Sequence, residues 1–284
     1  MLSDKPDSIN LQSLDEKLET LKKIGLDIVL IIPFDKEFSL MSAQMFADTV
    51  LKDLFNPTLI SVGTNHYFGH KKEGDFEFLK AFCSDNNIEL HTPVMREHMG
   101  STISSSLIRS LILDGNSSKV YDYLGRFYGF NATVVSGSNR GKTMNYPTAN
   151  FIPTFENQLL PSTGVYLTRV FLDGECYFGM MNAGVRPTFN EKKFVMEVHI
   201  LSDKFGNLYD KNFYIEFLDK IRDEKKFESK ELLIKQIEKD KEVCMYLLIQ
   251  YILLELFQFV CLILLYYETF FPIEFYLTTR YNNV

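Results

Sequence analysis

The sequence predicts an α/β domain followed by an antiparallel β-rich domain, and three observations carry that reading. From residue 14 to 125, runs with helical spacing alternate with short β-branched runs, the pattern of a parallel sheet covered on both faces. From about Gly125 to Ile221 the pattern changes to short β-rich runs punctuated by Gly, Pro and Asn, as an antiparallel barrel or sandwich requires. At 284 residues the chain is long enough for two domains that each bury a core.

Each element follows from local pattern. Leu14, Leu18, Leu21 and Ile24 recur at helical spacing and stop at Gly25, which predicts a helix over 14–24. The run LDIVLIIP at 26–33 is rich in β-branched residues and suits a buried parallel strand. Ser42 is a good N-cap for a second helix that places Phe46, Val50 and Leu54 on one face. A strand at 59–63, a polar loop at 64–75, a helix at 76–86 and a strand at 88–94 follow. Helices near 105–113 and 117–124 complete the first part. The second part contains FNATVVSG, GVYLTRVFLDG, CYFGMMNAG, KFVMEVHILS and NFYIEFLDKI, and then a helix that begins at Ser229. The domain boundaries expected are 1–125, 126–247 and an apolar tail at 248–284.

Composition narrows the function classes. A net charge of −7 speaks against a nucleic-acid-coating surface but leaves room for a local nucleotide site. Four cysteines without CxxC spacing argue against a metal cluster or disulfide framework and for a reducing compartment. Residues 1–10 show no basic region followed by an apolar one, so a cytoplasmic protein is expected. Residues 245–267 are about as long and apolar as a membrane span, yet Gln250, Glu255 and Gln258 interrupt them. Membrane contact there is the less favoured expectation, beside a helix packed on the barrel or an extension with no selected role.

The stretch GSNRGKTMNYPTAN at 137–150 carries the most chemistry. Gly137 and Gly141 let the backbone curl and aim amides at a phosphate chain, while Arg140 and Lys142 add positive charge. Thr148 offers a hydroxyl to a metal ion or phosphate, and Asn150 an amide oxygen. By spacing alone, such a Gly pair is more often an ordinary turn.

The tetrapeptide PTAN resembles the signature of the riboflavin kinase family. The resemblance continues in order through GVY (164–166), NAG-x-RPTF (182–189), E-x-H-I-L (197–201), NLYD (207–210) and IRDEKKF (221–227). LDEKLETLKKIGLDIVLIIPF, VGTNHYFGHKKEGD and ISSSLIRSLILDG look like the FMN adenylyltransferase module of the bacterial bifunctional riboflavin kinase/FAD synthetases. The likeness spans about residues 10–247. It implies an incomplete Rossmann-like nucleotidyltransferase domain, then an antiparallel six-stranded kinase β-barrel with a C-terminal helix.

The implied activity is transfer of the γ-phosphate of Mg-ATP to riboflavin, giving FMN. Small molecules are the expected partners. Glu197 matches the catalytic carboxylate. Gly137, Arg140, Gly141, Lys142 and Thr148 match the ATP side, and Thr148 with Asn150 the Mg²⁺ ligands. Arg222 and Phe227 resemble positions near the flavin, in contact with it or packing beside it. Strand alternation puts Glu197, His199 and Leu201 on one face, with His199 read as structural. Asn145 stands where the family usually has Gly, and Lys142 where Arg is common.

On the adenylyltransferase side, Ser104, Ser105, Ser106 and Arg109 match a phosphate-contacting element. The family's Gly-x-Phe-Asp-Gly-x-His-x-Gly-His loop has no counterpart, since the likeness begins after it. His66 and His70 have the wrong spacing to replace it and align with a flavin-side loop. FAD synthesis is therefore expected to be absent or very weak. The other readings are a bifunctional enzyme that also makes FAD, and a flavin-binding remnant without turnover.

Overall fold

The structure is a computed structural model that describes residues 9–94, 97–98, 100–136, 146–187, 192–202 and 211–270. The chain divides into two compact units, residues 1–110 with 157–159, and residues 111–156 with 160–284. The division falls before the change of pattern near 125 because the helix at 117–124 packs on barrel strands.

In the first unit α1 (Leu14–Lys23) begins with a capping box. Ser13 Oγ accepts from the Glu16 amide at 3.2 Å, and the Glu16 carboxylate accepts from the Ser13 amide at 3.0 Å. After the short α2 (Lys36–Ser39), α3 (Ala43–Phe46) starts on the expected cap, with Ser42 Oγ accepting from the Met45 amide. It runs on as a π-helical stretch, Ala47–Phe55. Strands β1 (Leu59–Ser61) and β2 (Glu89–His91) pair in parallel, linked through α4 (Phe76–Asp85). Leu79, Phe82 and Cys83 of α4 pack with Ala47 into a small core. A short hairpin, β3 (Glu97–His98) and β4 (Ser101–Thr102), precedes α5 (Ser105–Leu113).

The parallel strand expected at 26–33 does not form. That run is irregular, and its apolar side chains face solvent, Ile28 at 75% and Ile31 at 53% exposure. A central parallel strand needs a ladder partner for its amides and carbonyls. Among the described residues β1 and β2 pair with each other and no ladder reaches 26–33, so β-branched composition alone does not make a strand.

The second unit takes in the end of α5 and α6 (Ser117–Leu124) and closes six antiparallel strands into a barrel, which decides between barrel and sandwich. These are β5 (Tyr128–Val135), β6 (Ala149–Pro153), β7 (Gly164–Leu172), β8 (Glu175–Pro187), β9 (Lys192–Ile200) and β10 (Asn212–Arg222). Around the barrel the order is β10-β5-β6-β9-β8-β7. Tyr166, Phe130, Phe151, Phe217, Met181 and Ile215 are fully buried in this unit. Phe130 and Phe217 lie 5.4 Å apart, and Tyr166 meets Phe217 edge-on at 5.8 Å.

A single helix, α7 (Lys230–Phe270), follows, with Ser229 Oγ accepting from the Leu232 amide at 3.3 Å. Its Ile237, Cys244, Leu247 and Tyr251 cover Val165, Leu167, Met180 and Leu218 on the barrel wall. The apolar segment from 245 therefore continues the helix that docks on the barrel. Among the described residues no helix is long and apolar enough to cross a membrane.

Burial, reinforced by Asp240, pushes the Cys244 thiol up to about 12, and burial raises that of Cys83, whereas Cys176 is exposed. Iodoacetamide at mild alkaline pH is expected to modify Cys176 in the native protein and to spare Cys83 and Cys244 until denaturant is added. Peptide mass spectrometry of the two samples checks this, and fast native labelling of Cys244 would contradict the docking of α7.

Candidate active site

The site is built on one cross-strand row. Ladder pairing sets Val135 opposite Asn150, Asn150 opposite Glu197, and Glu197 opposite Asn182. It continues with Asn182 opposite Val165 and Val165 opposite Arg222. Paired residues in a ladder share a face, so one row around the barrel aligns three polar side chains from β6, β9 and β8. Their neighbours along β9, Met196 and Val198, are 3% and 2% exposed, so they point inward and Glu197 outward. The alternation read for Glu197 and His199 against Val198 and Ile200 is the one observed.

The segment before β6 reaches the same place. Thr148 Oγ1 donates to Glu197 Oε2 at 3.1 Å. His199 Nδ1 lies 2.8 Å from the Pro147 carbonyl, which can only accept, so Nδ1 carries the proton. The Tyr146 ring meets the His199 ring edge-on at 5.3 Å. Burial lowers the His199 pKa from the usual imidazole value, the Pro147 bond opposes that, and Lys241 adds to the lowering. Burial, with help from Glu238, raises that of Tyr146.

Thr148, Asn182, Glu197, His199, Arg222 and Phe227 line one cavity of about 310 Å³, with Leu233 and Ile237 of α7 as its apolar side. That mixture of apolar wall and a few convergent polar groups is typical of a small-molecule site. Asn150 is buried beside it on the same row.

Arg222 reaches the cavity wall, but its guanidinium is tied to α7. Nε donates to both Asp240 carboxylate oxygens, at 2.9 and 3.0 Å, and Nη2 to Oδ2 at 2.7 Å. Nη1 donates to the Asp223 carbonyl, and Gln236 Nε2 donates to Asp240 Oδ1. The guanidinium also sits over the Phe227 ring, 5.8 Å from its centre.

Sequence reasoning missed Asn182, Gln236 and Asp240. Asn182 stands in a motif already noted, but its place beside Glu197 depends on strand register. Gln236 and Asp240 are four apart on one helix, a visible spacing, while their partner Arg222 is not visible from that spacing. Gly137, Arg140, Gly141 and Lys142 lie outside the described residues, as do Asn145 and the NLYD motif.

In the first unit Ser104 Oγ accepts from the Leu107 amide at 3.2 Å, capping α5. Ser105, Ser106 and Arg109 occupy the first turns of that helix, the serines exposed. His70 has a packing role, its ring Nδ1 meeting the Ser39 carbonyl at 3.1 Å. Gly69 beside it has φ +74°, and a Cβ there would lie 2.5 Å from the Ala43 amide nitrogen.

A closed antiparallel barrel bearing a carboxylate, a hydroxyl and two amides over a helix-covered cavity has the parts of a small-molecule transferase. Comparison with known proteins makes the class specific. The riboflavin kinase family model matches residues 124–248 and the FAD synthetase model residues 1–107. A bifunctional riboflavin kinase/FMN adenylyltransferase from Haemophilus influenzae is 33% identical over 239 residues, 82% of this chain and 75% of that protein. One from Listeria monocytogenes is 33% identical over 82% of this chain and 73% of its own length. A crystal structure described as a macrolide-efflux protein from Streptococcus pneumoniae has a TM-score of 0.75 at 31% identity, covering 83% of this chain and 75% of that one. The chain belongs to the bifunctional riboflavin kinase/FMN adenylyltransferase family. Its second unit is the riboflavin kinase part, with ATP and riboflavin as substrates.

The Arg222–Asp240 pair is 22% and 3% exposed at the side chains, so removing one partner leaves a poorly hydrated charge. Asp240→Ala is expected to cost about 3 kcal/mol in urea unfolding, while Gln236→Ala costs about 1 kcal/mol. Equal small losses for both variants would show that the ion pair does not hold α7.

Proposed function

We propose that the cavity beside β9 is the phosphoryl-transfer site and that Glu197 is its general base. The observation that carries the reading is the Thr148–Glu197 hydrogen bond on the row shared with Asn150 and Asn182. Riboflavin lies with its ribityl chain toward Glu197 and its ring system toward Phe227 and the apolar side chains of α7. Glu197 takes the proton of the terminal ribityl hydroxyl as its oxygen forms the new bond to the γ-phosphorus. The bond from that phosphorus to the β–γ bridging oxygen breaks, and ADP leaves with the electron pair.

Thr148 and Asn150 are hard oxygen donors next to a carboxylate, a set that suits Mg²⁺, which keeps waters and phosphate oxygens for its other positions. When bound, the ion would neutralise charge on the transferring phosphate. Asn182 then orients the acceptor hydroxyl, and α7 keeps water from the flavin. Gly137, Arg140, Gly141 and Lys142 belong to the ATP side in this reading, by family resemblance.

FMN is the main product in this proposal. These 284 residues contain no His-x-Gly-His string to accompany Ser104, Ser105, Ser106 and Arg109. Four cysteines without CxxC spacing fit a cytoplasmic, reducing setting in this reading.

Chromatography of reactions with riboflavin, Mg²⁺ and ATP tests both statements. The protein is expected to form FMN, and Glu197→Ala to lower kcat by about 10²–10⁴-fold with little change in flavin binding. Full activity in Glu197→Ala would remove Glu197 from the chemistry, and riboflavin binding without turnover would favour the remnant. Accumulation of FAD from FMN and ATP would restore the bifunctional reading.

A further inference from the structure

We infer that His199 is a positioning residue for phosphoryl transfer, holding the Pro147 carbonyl so that Thr148 meets Glu197. The inference rests on the roles proposed above for Glu197 and Thr148. Its basis is where the β6 ladder stops. Strand β6 pairs with β9 from Ala149↔Val198 onward, and residues 146–148 lie before its first ladder pair. Extending the register by one residue would bring Thr148 opposite His199, and by two, Pro147 opposite Ile200. Pro147 has no amide hydrogen and cannot donate to a ladder, so main-chain pairing would hold this approach with one donor fewer, and the ladder pairs begin only at Ala149.

The His199 side chain takes over that task. Its Nδ1–H reaches the Pro147 carbonyl at 2.8 Å, and the Tyr146 ring packs edge-on against the imidazole. Two residues back on the same face, Glu197 accepts from Thr148 at 3.1 Å. Positions 197 and 199 thus grip two consecutive residues of the incoming segment, one through its carbonyl and the other through its hydroxyl. With the first grip released, Thr148 loses its fixed distance to Glu197, and the phosphate side of the site loosens more than the flavin side.

Asparagine and glutamine separate this role from bulk packing. The Asn side-chain amide nitrogen falls near the place of Nδ1, whereas that of Gln falls near Nε2. His199→Ala and His199→Gln are expected to lower kcat/KM for ATP on the order of ten- to a hundredfold, with KM for riboflavin changed much less. His199→Asn is expected to recover most of the loss. Thermal melting of each variant reports folding, and if the Ala variant does not fold, the Asn–Gln comparison decides. Equal losses in Asn and Gln, losses that follow Tm, or wild-type kinetics in His199→Ala would overturn the inference. Glu197→Ala is assayed beside them. If it is inactive while His199→Ala is unimpaired, only the positioning role fails; if Glu197→Ala is fully active, the site assignment beneath it fails.

Discussion

Closure of the barrel fixes the register of six strands, and from that register come both the core and the site. Each strand puts alternate residues inside, where Phe, Tyr, Met and Ile fill the barrel, and outside, where polar residues can meet a ligand. A slip of one residue in β9 would send Glu197 into the apolar interior and bring Val198 to the cavity. The cost of burying an unpaired carboxylate opposes that slip, as does the loss of Met196 and Val198 from the core. Stability and chemistry therefore select the same register. Asn150, Glu197 and Asn182, far apart in sequence, become neighbours because ladder pairing leaves them no other arrangement.

The register cannot by itself build a cavity, since a barrel wall is convex. Helix α7 supplies the opposing surface, held there by apolar burial and by one ion pair. Asp240 is almost fully buried, and its carboxylate accepts from Arg222 and Gln236. A buried pair of this kind contributes little net stability against an apolar substitute, but it discriminates strongly among alignments. Sliding α7 by a turn would leave both charges unmatched. In this reading Arg222 meets riboflavin mainly through the wall it forms with Phe227, because one hydrogen on each of its three nitrogens is already directed at Asp240 or the Asp223 carbonyl.

What the sequence made legible follows the range of the interactions involved. Helix starts at Ser13, Ser42, Asp75 and Ser229 rest on a side chain reaching an amide three residues on; Ser42 and Ser229 could be read as such caps, and the helix at 14–24 from its apolar spacing and Gly25. Barrel strands were legible as strands by their turns and alternation. Their order was not, so Asn182 could be seen in a motif without being placed beside Glu197. The run at 26–33 shows the opposite failure. Its composition is that of a buried strand, but a strand needs a neighbour, and composition says nothing about whether one is there. Arg222 was noticed through resemblance, whereas Asp240, its partner 18 residues away, required the docked helix to be seen.

The two catalytic halves of the family differ in how much local chemistry distinguishes them in this chain. At α5, Ser104 caps its own helix and the next serines lie on the exposed first turn. Any well-capped helix presents amides in this way, and a phosphate gains there from the helix dipole without specificity for a nucleotide. A transferase needs more: groups from separate elements that converge on the reacting atoms. At the cavity proposed as the kinase site, a carboxylate from β9, an amide from β8, a hydroxyl from the approach to β6 and apolar side chains of α7 line one space. Convergence from four elements is costly to maintain by chance, because each side chain must be held against its own entropy. That difference is physical, and it is why the proposed kinase site can be argued from side chains of several elements, whereas the adenylyltransferase match at α5 offers one capped helix start.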